Sequence, residues 1–466
     1  MNYNTDDIHT IGQAVAKLVQ EGIGQERTER QEAQTMAEFE LAFREGLRQI
    51  GAEALGIFLS SLQQTPESEI TCACGGRQHY QRMRAAVTTT VFGKVEYLRA
   101  YYAGCGCGAG LAPLDKTYGL EAGGISSGLG QLMALAGIAF SFEESEQWLQ
   151  EFLLFAVSEN SIRSETQKMG LLQQKGEEAD IQASQNEKAL QARLREEKQI
   201  PKRLYGSMDA AKVRIEPRAR KGEPVSEHED WRDMKVGCWY QAEAVSVSRQ
   251  SSRQRRKAQR EGTVFRTTQH QYYCDIAHVD PFGKLVWATG CRVTADLVAE
   301  LVFVCDGAAW IWEVVEHYYP QAVQIVDWYH AEDRLNRLAG VAFPSASQRQ
   351  AWLAQIVESL WQGQVEEVVL ACKLLASKHD EARQALTYFS NNSHRMRYDL
   401  FRAQGYLIGS GTIESGCKQI VTQRLKRSGA QWIVQGAVLT AKARAAWLSG
   451  NWHSLCQKRA SLPLAI

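Results

Sequence analysis

Apolar residues along this chain keep two different rhythms, and the change from one to the other divides it. From Met36 the positions Met36, Phe39, Phe43, Leu47 and Ile50 step by three or four, which predicts one face of an amphipathic helix packed on another domain or a second subunit. A turn-rich stretch (63–69) gives way to a strand-like run, TTTVFGKVEYLRAYY, starting at Thr88. Ser141-Phe-Glu-Glu144 has the form of a capping box and opens a helix with Trp148, Leu149 and Phe152 inward. After a short turn Ser158 caps a second helix, whose strong apolar side chains are Ile162 and Met169, with Asn160, Arg163, Gln167 and Lys168 outward. Helix, tight turn and polar second helix have the form of a helix-turn-helix with its recognition helix. Residues 175–199 are polar with weak periodicity and read as a helical linker.

From Lys202 the pattern becomes that of strands. Runs at 204–215 (LYGSMDAAKVRI), 234–247 and 271–279 predict three, followed by a helix near 293–302. Residues 301–305 (LVFVC) and 323–326 (VQIV) are short, mainly apolar runs, two buried strands with a helix from about Ala308 between them. Residues 331–403 are helical in period, with Trp352, Ile356 and Leu360 on one face, and a glycine-flanked helix then carries Glu414, with Thr412 as its cap. Trp310 and Trp312 are expected in the core. The sum is an α/β class with a mixed sheet. Six regions follow: 1–68 helical; 69–115 cysteine-bearing; 116–200 helix-turn-helix and linker; 201–330 first core part; 331–402 helical insertion; 403–466 second core part with a basic end.

A hydrophobic share of 44% with 23% charge excludes a disordered class, and the longest apolar run, 132–142, is too short to span a bilayer. A polar amino terminus without a hydrophobic core segment predicts a cytoplasmic protein with no membrane partner. Cys72-Ala-Cys74-Gly and Cys105-Gly-Cys107-Gly bracket a hairpin, an arrangement suited to a four-thiolate zinc ribbon, although C-x-C is less common than C-x-x-C. The net charge of zero hides segregation. Six basic residues (Arg249, Arg253, Arg255, Arg256, Lys257, Arg260) occupy 249–260, and eight (Lys418, Arg424, Lys426, Arg427, Lys442, Arg444, Lys458, Arg459) follow Ser415, neither block holding an acid. Such blocks point to a polyanion, most simply nucleic acid.

Asp306 stands where an apolar strand runs out into Gly307, a place suited to chemistry in α/β sheets, and equally suited to a helix cap. Asp209 lies in the first strand and Glu414 on a late helix, and adjacent strands would bring the aspartates together. Hard oxygen ligands suit Mg²⁺ or Mn²⁺, and a pair of such ions about 3.5–4 Å apart drives in-line attack on a phosphodiester.

GSMDAAKV, WRDMKVGCWY, CDGAAWIW, IVDWYHAEDRL and GSGTIESGCKQIVTQRLKRSGAQW resemble, in that order, the motifs of DDE transposases of bacterial insertion sequences, most closely the ISKra family. The resemblance implies an RNase H-like core with a helical insertion, two Mg²⁺ ions on Asp209, Asp306 and Glu414, and cleavage and transfer of DNA strands. It also implies binding to element ends and target DNA as a homo-oligomer. Asp327-x-x-His330 resembles the family's secondary motif, with His330 read as a hydrogen-bonded support. Lys418, Arg424, Lys426 and Arg427 would then contact phosphates near the cut. Ala210 departs from the glycine that commonly follows the first aspartate, which puts the local turn in question. The other classes left open are a DNA-binding protein without catalysis and a nuclease of the same fold without strand transfer.

Overall fold

Thr35 opens the first long helix: its hydroxyl accepts the Glu38 N–H while the Glu38 carboxylate reaches back to the Thr35 N–H. This computed structural model describes residues 35–62, 66–120, 122–195, 199–215, 231–245 and 263–460, with Gln13 and Ala16 as isolated positions. The chain forms two units, Met1–Met169 with His453–Ile466, and Gly170–Trp452.

In the first unit, α1 (Met36–Ser61) packs its carboxyl-terminal half on a three-stranded antiparallel sheet of β1 (Glu69–Thr71), β2 (Arg77–Thr90) and β3 (Gly93–Ala103). Gly56 makes that approach possible, since a Cβ there would stand 2.4 Å from the Glu96 carbonyl oxygen. The face predicted from Met36 is real but uncovered: Met36, Phe39, Phe43 and Leu47 are exposed. Short α2 (Pro113–Tyr118), α3 (Ser127–Ala139) and α4 (Phe142–Leu153) follow. The Ser141 capping box forms as expected, but α4 buries the stripe Phe142, Ser145 and Leu149. Trp148 and Phe152 lie on the adjacent stripe and stand 49% and 60% exposed, stacked on each other, so their inward placement is corrected.

Helix α5 (Glu159–Ala183) starts in the first unit and ends in the second, overrunning the expected linker, and a short α6 (Glu187–Leu190) follows. Two of the linker's acidic residues mislead because they are partnered rather than solvated. Glu177 and Asp180 are buried, the first on Lys442, the second on Arg193 and Arg292.

The second unit is built on a five-stranded sheet of order β6-β5-β4-β7-β8: β4 (Arg203–Arg214), β5 (Trp231–Ala244), β6 (Phe265–Asp275), β7 (Glu300–Cys305) and β8 (Val323–Val326). Strands β4, β5 and β6 pair antiparallel, whereas β7 and β8 run parallel to β4. Helix α7 occupies Val279–Arg292, so the helix expected near 293–302 is misplaced. Pro281 sits in its first turn, where a missing N–H leaves no gap, and Thr294 at φ 61° ends it in a tight turn. Helix α8 (Ala309–Tyr318) joins β7 to β8, burying Trp312 in the core and half-burying Trp310. The helical stretch is α9 (Trp328–Ala342), α10 (Ala346–Trp361), α11 (Val365–Ala376), α12 (Asp380–Asn391) and α13 (Tyr398–Ala403), with Ile356 and Leu360 inward on α10. Helix α14 (Gly411–Cys417) then returns to β4 and β5, and α15 (Val434–Leu448) to β6; α16 (Trp452–Ala460) closes the described chain. Among the described residues no helix is long and apolar enough to cross a membrane.

Candidate functional site

The parallel register of β4 and β7 pairs Arg203 with Glu300 and Gly206 with Phe303. Carried on three residues, the same register sets Asp209 level with Asp306, one still in its strand and the other just past the end of its own. The two carboxylates feel each other. Burial pushes the Asp209 carboxyl above its usual range and the charge of Asp306 adds to it, against a 2.6 Å bond from the Ala210 N–H. Ala210 simply continues the strand. Asp306 also does local work, its Oδ1 accepting the Ala308 N–H at 3.0 Å, and its carbonyl accepts the Tyr388 hydroxyl at 3.0 Å. The adjoining Gly307, at φ 93°, takes a backbone conformation that L side chains avoid.

Glu414 comes in from α14. The cap of that helix is Ser410, not Thr412, which lies inside the first turn and reaches Thr267 instead. Ser410 is tied twice: its N–H is donated to Asp327 Oδ2, and its hydroxyl lies 3.3 Å from Glu414 Oε1. Asp327 caps α9 and is fully buried. Its Oδ1 accepts the His330 N–H at 2.7 Å and lies 3.0 Å from His330 Nδ1, which in turn is 3.7 Å from Glu414 Oε1. Burial alone would raise the Asp327 carboxyl, but the bonds from His330 and Ser410 outweigh it and hold it below the usual carboxylate range. The hydrogen bond to Asp327 raises His330 to about 9, against its partial burial.

Asp327, His330 and Glu414 therefore form a group whose ligand atoms lie within 4.8 Å of one another. Asp209 and Asp306 stand outside that group but within its field. Sequence reading missed Ser410 and also Cys417, one turn beyond Glu414, whose buried thiol bonds Asp209 and is pushed up first by burial and then by Asp209 and Asp306. Both lie inside the GSGTIESGCKQ stretch, yet nothing in it says that they meet the aspartates. The carboxylate oxygens of Asp209, Asp306 and Glu414 are the kind of hard donor that Mg²⁺ or Mn²⁺ prefers, whereas the group whose atoms already lie close enough to share an ion includes the His330 nitrogen.

A second centre lies in the first unit. Cys72 Sγ is 3.6 Å from Cys107 Sγ, Cys74 Sγ is 3.2 Å from Cys105 Sγ, and all four lie within 4.8 Å. Thiolates around zinc at ~2.3 Å make a tetrahedron with edges of about 3.8 Å, so the cluster could hold a metal such as zinc. Two knuckles shape it: Gly75 N–H bonds the Cys72 carbonyl, and Gly108 N–H that of Cys105, both glycines at positive φ. A Cβ on Gly76 would come within 2.6 Å of Cys105 Sγ, so the cradle itself demands glycine. The Gly76 N–H and the neighbouring thiols bring Cys74 down to about 7.

No family model and no curated protein matches this chain.

The basic residues divide. Arg163 and Lys168 are exposed on α5 as expected and Gln167 is half-buried, with Arg163 held by Glu159 and Asn160 and Lys168 by Glu165. Lys418 and Lys426 are exposed and Arg427 half-buried. Arg424 is corrected: it is 2% exposed with its guanidinium over the Trp432 ring, and cannot reach a phosphate. Lys442 is likewise interior, and Arg459 is spent on buried Glu165. Arg253, Arg255 and Arg256, with the rest of the 249–260 block, lie outside the described residues.

Proposed function

We propose that the second unit is an RNase H-like core that cuts DNA with two Mg²⁺ or Mn²⁺ ions held by Asp209, Asp306 and Glu414, and that the chain is an insertion-sequence transposase of the ISKra type. The observation that supports this reading is the register of β4 against β7, which sets Asp209 level with Asp306, together with the packing on β4 and β5 of α14, the helix that bears Glu414. When bound, such ions activate the attacking oxygen and stabilise the leaving one. The chain's own part is positioning. Asp327 anchors both the Ser410 turn and the His330 ring, and these two flank Glu414.

In this reading the cysteine cluster is a zinc ribbon that, with helices α4 and α5, recognises element ends. Lys418, Lys426 and Arg427 then hold phosphate near the cut, and the protein assembles on DNA as an oligomer. The test is incubation of the full chain with DNA carrying the flanks of its coding region, in Mg²⁺ and in EDTA. Mg²⁺-dependent cuts at the flanks followed by joining to a second DNA support the reading. Cutting without joining leaves a nuclease, and binding without cutting leaves a DNA-binding protein.

A further inference from the structure

Beside Glu414 the second unit carries a cavity of about 430 Å³ that none of the roles above uses. Its walls are rings: Phe265, His270 and Tyr272 from β6, and Tyr329 from the start of α9, next to His330. The His270 and Tyr272 rings lie nearly parallel, with centroids 6.0 Å apart and planes 12° apart. Glycines of the GSGTIESG stretch let the rings in: a Cβ on Gly416 would be 2.6 Å from the Tyr272 ring, and one on Gly409 3.1 Å from that of Tyr329. Thr267, Thr412, Ser415 and Gln419 add polar side chains to the lining, with Thr412 bonded to Thr267 and Gln419 to Ser415.

Among the described lining residues no carboxylate, lysine or arginine occurs, and burial lowers His270, favouring its neutral form. A phosphate has no cation to meet there, with Glu414 nearby to repel it. A flat, uncharged ring with hydrogen-bonding edges fits both the aromatic walls and the polar groups.

We propose that this cavity takes one unstacked nucleobase of the strand held at the acidic site. The proposal rests on the reading of that site as a DNA-cutting centre, and adds what the centre asks of its substrate: a nucleotide out of the stack beside the scissile bond. It makes Tyr329 and Tyr272 binding residues, and the helix bearing Glu414 part of a wall that senses the base.

The test uses the full chain with Ca²⁺ in place of Mg²⁺, so that binding is read without cutting. Two duplexes of one sequence are compared, fully paired or with a 2-aminopurine opposite an abasic site. The duplex with the unpaired base should bind about ten-fold more tightly, the size of one base stacked on aromatic rings, with a change in 2-aminopurine fluorescence. Gly411→Leu adds a bulky side chain at the cavity's lining without strain, because a Cβ there meets nothing within 4 Å and the backbone is not left-handed. This variant and Tyr329→Ala should bring the ratio of the two affinities close to one, with unchanged melting temperature confirming that each is folded. Equal affinity of the parent for both duplexes overturns the base site while leaving the DNA reading intact, as does a ratio that survives both variants. Failure to bind either duplex removes the DNA reading and the base site together.

Discussion

Lys442 offers the sharpest contrast between a charge counted along a chain and a charge placed in a fold. It sits at mid-helix in α15, 1% exposed, with its ammonium 2.6 Å from Glu177 Oε2, 3.0 Å from Asp275 Oδ2 and 2.8 Å from the Cys274 carbonyl. All three of its N–H donors are thereby used. Burial alone would push its pKa down, but Glu177 and Asp275 push harder in the other direction, and the group stays charged. Lys442→Met keeps the length and removes the charge, which strands Glu177, itself 7% exposed at the side chain, without its cation. Breaking one half of such a pair costs about 3–5 kcal/mol. At roughly 2–4 °C per kcal/mol for a unit of this size, melting should fall on the order of 10 °C by calorimetry. Adding Glu177→Gln should recover much of that loss, because the amide has no charge to strand. A loss below about 1 kcal/mol, or a double variant no better than the single, would refute the buried pair. In DNA titrations Lys442→Met should leave the salt dependence of binding unchanged, whereas Lys426→Met should lower its slope by about one.

Protein purified without chelator should carry about one zinc per chain by metal analysis, and Gly76→Ala should lower that occupancy because its Cβ enters the sulfur cluster. Glu414→Gln should fold and bind DNA while Mg²⁺-dependent cutting falls by orders of magnitude, and a near-parental rate would exclude it as a ligand. His330, with its folded pKa raised to about 9, should titrate near there by NMR in metal-free protein. Its contribution to stability is full below the unfolded value of ~6.5 and lost as pH climbs through 9. His330→Gln should therefore flatten the stability profile over that window.

The strands were legible because the buried ends of β7 and β8 are apolar and because each is followed at once by an aspartate. Helix α7 was not legible, because Gly283 and Gly290 interrupt its pattern and look like breakers. They are there for packing: a Cβ on Gly283 would meet the Tyr318 ring at 2.7 Å, and one on Gly290 the Tyr319 hydroxyl at 1.9 Å. The polar end of α5 was read as solvated for a similar reason. Its partners Lys442 and Arg292 lie 265 and 112 residues further along, beyond any local window. Asp306 could be picked out from its strand end and Asp209 and Glu414 from the order of resembling motifs, but the ties of Ser410 to Asp327 and of Cys417 to Asp209 exist only once β8, α9 and α14 have met.

Four carboxylates, those of Asp209, Asp306, Asp327 and Glu414, gather around one imidazolium, and Asp209 is already driven toward its neutral form by burial and by Asp306. Asp327 is satisfied by His330 and Ser410, so the repulsion that remains is that of Asp306 on the buried Asp209. A site kept in that state is destabilising until a cation enters, and the parent chain should carry the strain openly. Asp306→Asn tests this, since the amide oxygen can still accept the Ala308 N–H while the charge is gone. In EDTA the variant should melt above the parent. Mg²⁺ at about a hundred times its dissociation constant should stabilise the parent by about 2.7 kcal/mol and the variant far less, so that the order of the two melting temperatures reverses. A variant that melts below the parent in EDTA, together with a parent indifferent to Mg²⁺, would mean that these carboxylates are ordinary caps and surface acids, and the metal-dependent reading would go with them.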